Sequence, residues 1–126
     1  MRPIKFRAWV LNNHGDWMAQ QGVHPEIDTP SKFLALYGEN ILMQYTGLQD
    51  KNGTEIYEGD IVQYERRNLG FALGFSDDDT LYYTERQVIK WLEQGFNVPQ
   101  GFIRNLEVIG NIYQHPELLE GVADGS

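Results

Sequence analysis

The sequence of 126 residues has no cysteine, no long apolar run and fewer basic than acidic residues. The missing cysteine excludes disulfide bonds and thiolate metal sites. The apolar stretches reach four or five residues, far below the roughly 20 that a membrane-spanning helix needs. The basic start, residues 1–7, is not followed by the apolar segment of a signal peptide. We therefore expect a cytoplasmic protein that does not associate with membranes.

The charge balance disfavours nucleic acid as a partner. The chain has 18 acidic and 10 basic residues and a formal net charge of −8, whereas phosphate neutralisation requires an excess of Lys and Arg. The acidity is uneven, because residues 1–7 contain three bases and no acid, and residues 105–126 contain four acids and no base. This polarity favours contact with a charged partner or head-to-tail self-association.

Length and hydrophobic patterning predict one β-rich domain. Alternation from Ile4 to Val10, an Asn- and Gly-rich turn and a return strand from Trp17 to Gln20 predict an N-terminal hairpin. Residues 33–37 are too few to separate a strand from one helical turn. The last predicted strand, residues 106–113, has apolar groups on both faces and is therefore expected at the centre of a sheet. The further predicted strands are residues 41–46, 56–57, 61–65, 71–75, 80–83 and 106–113.

One helix is predicted over residues 84–94. Thr84 and Gln87 fit a capping box, and Gly95 fits the left-handed residue that follows a helix. An apolar stripe along this segment includes Trp91, which is therefore expected to be buried. The pattern as a whole predicts a mostly-β fold, a small curved sheet or β-barrel-like domain with an N-terminal hairpin and one short helix.

The strongest turn signals lie between residues 49 and 60. Asn52-Gly53 is the dipeptide most typical of a tight hairpin turn. Gly59 is expected to permit close backbone approach in a bend. Asp60 is expected to accept hydrogen bonds from amides in that bend, before Val62 enters the core.

The residues show no pattern typical of catalysis. The three histidines, His14, His24 and His115, lie in different predicted turns, whereas a zinc site needs at least three converging ligands. A Gly-x-Ser-x-Gly elbow and a Walker-type phosphate loop are both missing from the sequence. We therefore predict no catalytic residue, no cofactor, no metal and no enzymatic activity.

An acidic triplet, Asp77, Asp78 and Asp79, is the most conspicuous local cluster. It lacks the glycine and the distal glutamate of a calcium-binding loop. A solvated hairpin turn is the favoured interpretation, and a binding surface for a basic partner is the alternative.

A basic N-terminal strand contains Arg2, Lys5 and Arg7, with Trp9 nearby. Cationic and aromatic surfaces of this kind can hold single-stranded nucleic acid. The favoured interpretation is that these charges keep a sheet edge soluble.

Three ordered motifs extend along the chain. The first is Ile4-Lys5-Phe6-Arg7-Ala8-Trp9, and the third is the stretch of residues 107–119 with the sequence EVIGNIYQHPELL. The central motif joins LMQYTGL at residues 42–48, DKNG at 50–53 and EIYEGDIV at 55–62. Together they resemble the YopX-like family of small bacteriophage and prophage proteins, whereas residues 66–105 have little of the family pattern.

The resemblance implies a mostly-β fold, a phage or prophage origin and no established catalytic residue. It implies a single domain over residues 1–126, in which we expect an N-terminal β segment at about 1–47, a barrel-like core at about 48–116 and a frayed tail at 117–126. The motif residues are interpreted as structural or as contacts to a partner: Gln44, Tyr45, Thr46, Gly47, Asn52, Gly53, Tyr57, Gly59, Asp60 and Val62.

The expected function is that of an accessory protein that acts by contact with an unidentified host or phage protein, as a monomer or a homo-oligomer. A sharper version is an acidic inhibitor that occupies the nucleic-acid groove of a host nucleic-acid-binding or defence protein. One alternative is a small nucleic-acid-binding barrel that uses the basic N-terminal strand. An enzyme of unknown reaction is the last alternative.

Overall fold

The computed structural model describes residues 4–67 and 81–121. These residues form a mostly-β fold with the α-helix α1 (Pro30–Tyr37) and 3-10 helices at Pro25–Ile27 and Pro116–Gly121. No helix in the described part of the chain is long and apolar enough to cross a bilayer. The strands are β1 (Phe6–Val10), β2 (Trp17–Gln20), β3 (Ile41–Gln49), β4 (Glu55–Tyr57), β5 (Asp60–Arg67), β6 (Tyr82–Val88), β7 (Trp91–Leu92), β8 (Gly95–Phe96) and β9 (Ile103–Asn111).

The chain divides into two compact units. Among the described residues, the first unit comprises 4–48 and 55–58, and the second comprises 49–54, 59–67 and 81–121. The second unit is therefore interrupted in sequence by a short piece of the first. The expected division into an N-terminal segment, a barrel-like core and a tail within one domain stays a prediction.

The first unit is a curled four-stranded sheet with one helix. The sheet has the order β2-β1-β3-β4 and forms a half-barrel. Ala8 of β1 lies opposite Ala19 of β2, which confirms the predicted N-terminal hairpin. These two small side chains form a core cluster with Ile27 and with Phe33 of α1. Their size lets the helix lie close to the sheet.

The helix lies at residues 30–37, where the sequence left strand and helical turn open. Thr29 is its N-cap, because its side chain accepts a hydrogen bond from the Lys32 N–H at 3.2 Å. The helix predicted at residues 84–94 is wrong, since this segment forms β6, β7 and β8. All seven residues of β6 pair with β5. This long-range pairing, with the β-prone Tyr, Thr and Val residues of the strand, outweighs a weak local capping signal.

The second unit contains a three-stranded antiparallel sheet of order β6-β5-β9. The last strand is therefore at an edge, and its predicted central position is wrong. The register between β5 and β9 shifts twice, between Ile61 and Val62 and between Gln63 and Glu65. An extra residue at a bulge reverses the faces that later side chains occupy. This reversal explains why an edge strand has apolar residues on both faces.

The other predicted elements agree in position. Strands predicted at residues 41–46, 56–57 and 61–65 are β3, β4 and β5, and the predicted turn after His115 is the 3-10 helix Pro116–Gly121. The strand predicted at residues 71–75 lies outside the described residues. Asn52-Gly53 lies in the turn between β3 and β4, as predicted, with Gly53 at φ 81°.

Gly59 is expected to tolerate no β-branched side chain. It is buried at φ 88°, its N–H donates to the Ile89 carbonyl at 2.8 Å, and its carbonyl accepts from the Ile112 N–H at 3.0 Å. Gly59→Val should lower the free energy of unfolding in urea by more than about 2 kcal/mol, since left-handed strain and crowding add. Gly53→Val is the control, because its added Cβ meets open space and only the strain of roughly 1–2 kcal/mol remains. Equal losses in both variants would show that Gly59 is not a tight bend.

Candidate functional site

The central motif is organised by the carboxylate of Asp50, which is 9% exposed. Its Oδ1 accepts hydrogen bonds from the backbone N–H groups of Asn52 at 2.8 Å and Thr54 at 3.0 Å. Its Oδ2 accepts a third from the N–H of Val108 at 2.9 Å. One side chain thus closes the turn between β3 and β4 and ties that turn to β9. Asp50 is not among the site residues predicted from the sequence, although Asp two residues before an Asn-Gly pair is a typical turn-stabilising pattern.

The pKa of Asp50 reflects two opposed effects. Burial raises the pKa, but the hydrogen bonds from Val108, Asn52 and Thr54 lower it more, with help from the charge of Lys51. The net result is a pKa below the usual value, so the carboxylate remains ionised near neutral pH. An acceptor held in this way suits a structural role and not that of a general acid.

The remaining motif residues lie mostly within the fold. Tyr45 and Tyr57 are buried with their ring centroids 5.5 Å apart, and burial raises the pKa of Tyr57 to about 12. The buried Thr46 hydroxyl donates to the Ile56 carbonyl at 2.8 Å, and the backbone of Gln44 accepts from the Glu58 N–H. Gly47 has a φ of 88°, and Asp60 and Val62 are fully buried. These placements favour the structural interpretation of the motif.

The basic N-terminal strand is engaged within the first unit. Lys5 Nζ lies 2.9 Å from Glu55 Oε1. Arg7 is buried, lies over the Tyr57 ring at 4.8 Å and donates to the Glu58 carbonyl at 3.3 Å. Trp9 is half-buried, and Arg2 lies outside the described residues. The described residues of this strand therefore form no open cationic surface.

Other residues considered from sequence do not converge on a site. His14 and His24 are exposed in separate loops, and His115 Nδ1 accepts a hydrogen bond from the Asn111 N–H at 3.2 Å. The described residues contain no group of three or more His, Asp or Glu that could hold a metal ion. The triplet Asp77, Asp78 and Asp79 lies outside the described residues.

From Gln63 to Arg67 of β5, one face of the three-stranded sheet is polar, a feature that was not evident from the sequence. Alternation and register place the side chains of β5, β6 and β9 on this face. Lys51, from the turn before β4, lies beside them, with its Nζ 3.9 Å from Glu107 Oε2. Part of this face is a shallow depression of about 190 Å³ around Gln63, Glu65 and Asn105. We call it the polar face, and it comprises Lys51, Gln63, Glu65, Arg67, Tyr82, Thr84, Arg86, Arg104 and Glu107.

Contacts order the middle of the polar face. Arg104 Nε lies 3.4 Å from Glu65 Oε1, and its guanidinium covers the Tyr82 ring at 3.6 Å. Asn105, at the second bulge with φ 57°, donates to Glu65. The hydrogen bonds from Asn105 and Arg104 lower the pKa of Glu65. At the other end, Lys51 Nζ lies 3.9 Å from Glu107 Oε2.

A small hairpin exposes aromatic and apolar side chains. β7 and β8 pair only two residues each, with Trp91 opposite Phe96 and their rings edge to face at 4.8 Å. Trp91 is 53% exposed and Leu92 is 51% exposed. The predicted burial of Trp91 is therefore wrong, because a strand directs successive side chains to opposite sides instead of along one helical stripe. We call residues 91–96 the aromatic hairpin.

Replacing Asp50 by Asn should destabilise the protein in a pH-dependent way. At about pH 7 we expect a loss of roughly 1–3 kcal/mol in the free energy of unfolding, because at least one backbone N–H would face the new amide NH₂. With the folded-state pKa lowered, the stabilisation exists above the unfolded pKa and is lost as pH falls through the folded pKa. Urea unfolding at several pH values should thus show a smaller loss of stability on acidification for Asp50→Asn than for wild type. Asp28→Asn, at an exposed ion pair with Lys32, is the control, and parallel pH curves for wild type and Asp50→Asn would contradict the assignment.

Comparisons with known proteins agree with the fold. The crystal structure of protein EF1440 from Enterococcus faecalis matches with a TM-score of 0.50 and 21% sequence identity, over 94% of this chain and 99% of that chain. At this identity the likeness establishes the fold alone. No curated protein matches the chain. The YopX protein family matches residues 5–120, nearly the whole length, so the chain belongs to the YopX protein family.

Proposed function

We propose that the chain acts by binding another protein in the bacterial cytoplasm and not by catalysis. Family membership suggests an accessory protein of a phage or bacterium. We further propose that this protein is encoded by a phage or prophage and that its partner is a host or phage protein. Self-association is an alternative form of the same activity.

The aromatic hairpin is the observation that supports this proposal best. Trp and other aromatic residues are enriched among the side chains that dominate protein–protein binding energies. Trp91 and Leu92 expose about half of their surface on two-residue strands. A half-exposed tryptophan of this kind offers apolar area that a partner can cover.

The lowered pKa of Glu65 argues against a general-acid role for this carboxyl group. A carboxyl group that acts as a general acid near neutral pH usually needs a raised pKa. The pKa of Glu65 is instead lowered by hydrogen bonds from Asn105 and Arg104. Glu65 is therefore suited to orienting its neighbours.

Trp91→Ala should abolish partner capture while leaving the fold intact. Tagged protein expressed in a bacterial host would be recovered from lysate, and the retained proteins identified by mass spectrometry. Trp17→Ala is the matched control, because Trp17 is 41% exposed and also makes an edge-to-face contact, with Tyr37. We expect a partner that wild type and Trp17→Ala retain and Trp91→Ala loses.

The free energy of unfolding of Trp91→Ala in urea should differ from that of wild type by less than about 1 kcal/mol. This is well below the roughly 3–5 kcal/mol expected for a buried tryptophan. Identical retained proteins for both variants would contradict the role of the hairpin.

A sharper proposal is that the protein inhibits a nucleic-acid-binding or defence protein by presenting acidic groups. Five basic side chains of the described residues have carboxylate partners: Lys5, Lys32, Lys51, Arg66 and Arg104. Exposed acids such as Glu39, Glu93 and Glu120 add to the surplus that gives −8 overall. A surface of this sign attracts a basic groove.

The acidic triplet provides the test of this sharper proposal. Asp77/Asp78/Asp79→Asn should weaken capture of a basic partner and make it less sensitive to salt. Wild type and the triple variant would be compared by pull-down at low and moderate ionic strength. Unchanged partners and unchanged salt dependence would remove the triplet from the proposed interface.

The nucleic-acid-binding alternative has less support, because Lys5 is ion-paired and Arg7 is buried.

A further inference from the structure

The polar face has a charge opposite to that of the protein as a whole. Its four bases, Lys51, Arg67, Arg86 and Arg104, outnumber its two acids, Glu65 and Glu107, which gives +2 in a chain of −8. The other residues therefore sum to −10. A local reversal of charge on an otherwise acidic chain provides a specific place for an anionic ligand.

Two of the four bases have no acidic partner among the residues that the structure describes. Lys51 and Arg104 are paired with the acids of the face itself, Glu107 and Glu65. Arg86 donates from Nε to the neutral side chain of Gln63 at 3.0 Å, and Arg67 is exposed. Within the described part of the chain, neither Arg67 nor Arg86 has a carboxylate within ion-pair distance.

The register fixes the spacing of these two arginines. Arg67 lies opposite Tyr82, and Arg86 lies opposite Gln63, so the two are separated by four residues along adjacent strands. At about 3.3 Å per residue this is roughly 13 Å. Because the spacing is even, both side chains point to the same side of the sheet.

We propose that the polar face binds an extended acidic segment of a partner protein, with two carboxylates four residues apart that pair with Arg67 and Arg86. This inference rests on the proposed protein-binding function and names the chemistry of the partner. An extended segment that runs along β5 has the same side-chain spacing as the two arginines. Each contact is a charge-assisted hydrogen bond between a guanidinium and a carboxylate.

A protein segment fits this face better than a nucleic acid. A continuous phosphate backbone would meet the charges of Glu65 and Glu107 between and beside the arginines. The Tyr82 ring is already covered by Arg104, so the polar face offers no open aromatic platform for base stacking. Thr84 lies between the positions of Arg67 and Arg86 along the sheet, and its hydroxyl can hydrogen-bond a peptide.

A β-strand of a second copy of this chain fits the polar face less well than an acidic segment of another protein. None of the described strands has two acids four residues apart; β5, for example, has only Asp60 and Glu65. The described β-strands therefore cannot supply the required spacing. The proposed occupant is therefore an acidic segment of another protein, and not a β-strand of a second copy.

NMR titration of the full-length protein with synthetic peptides tests this inference. The probe is a capped nine-residue Ser/Thr peptide with Glu at its third and seventh positions. The matched probe has the same charge, with Glu at its third and fifth positions. We expect amide shifts at residues 63–67 and 82–86, and binding of the first probe at least about fivefold tighter than of the second. Arg67→Gln and Arg86→Gln should each weaken binding about tenfold, the loss of one charge-assisted contact.

Controls separate this inference from the aromatic hairpin. Lys32→Gln, in the first unit, and Trp91→Ala should leave peptide affinity unchanged, so peptide binding can succeed even if capture through Trp91 fails. Equal affinity for the two peptides, or no shift at the polar face, would overturn the inference. Tighter binding of an oligothymidylate than of the first peptide would assign the face to nucleic acid instead. Salt-sensitive dimers, lost on Arg67→Gln in analytical ultracentrifugation, would assign it to a second copy.

Discussion

The Asp50 carboxylate is the interaction on which the second unit depends. It gathers three backbone N–H groups, two from its own turn and one from Val108, which is 58 positions further along the chain. A hydrogen bond from the Lys51 N–H to the Leu106 carbonyl lies beside it. The turn is thereby fixed against the edge strand β9, and Lys51 comes within reach of Glu107 on the polar face. The position of Lys51 on that face thus follows from the buried acid next to it in sequence.

The bulges of β9 have a comparable influence on the surface. Each shift in register changes which side chains of β9 point to the polar face. As a result Arg104 lies beside Glu65 and Tyr82, and Asn105 adopts a left-handed conformation from which it also contacts Glu65. The charges in the middle of the polar face are paired and ordered by these contacts. Arg67 and Arg86, on either side, can therefore contact a bound partner. The same local irregularity that hides the strand's position from pattern analysis arranges its charged residues.

Much of the fold could be predicted from local signals, and the failures have identifiable causes. The alternation of residues 4–10, the Asn52-Gly53 turn and the bend at Gly59 each have a local sequence signal, and the structure has all of them. The helix prediction for residues 84–94 failed because Thr84 and Gln87 resemble a helix cap. Their pairing with β5 depends instead on residues about 20 positions away. The polar face could not be predicted, because Arg67, Arg86 and Arg104 share a surface only through the register of three strands. Asp50 could have been identified in part, since two of its three hydrogen bonds are local.

The interleaving of the two units has a consequence for synthesis and for dissection of the protein. Residues 49–54 belong to the second unit and residues 55–58 to the first, so the chain passes between the units three times. A single cut at a boundary between these pieces cannot yield two fragments that each contain one whole unit. During synthesis, Asp50 emerges well before Val108, the residue that completes its set of donors, so this contact forms late. The protein is therefore expected to be resistant to subdivision, and fragments that end before residue 108 leave this acid with only its local hydrogen bonds.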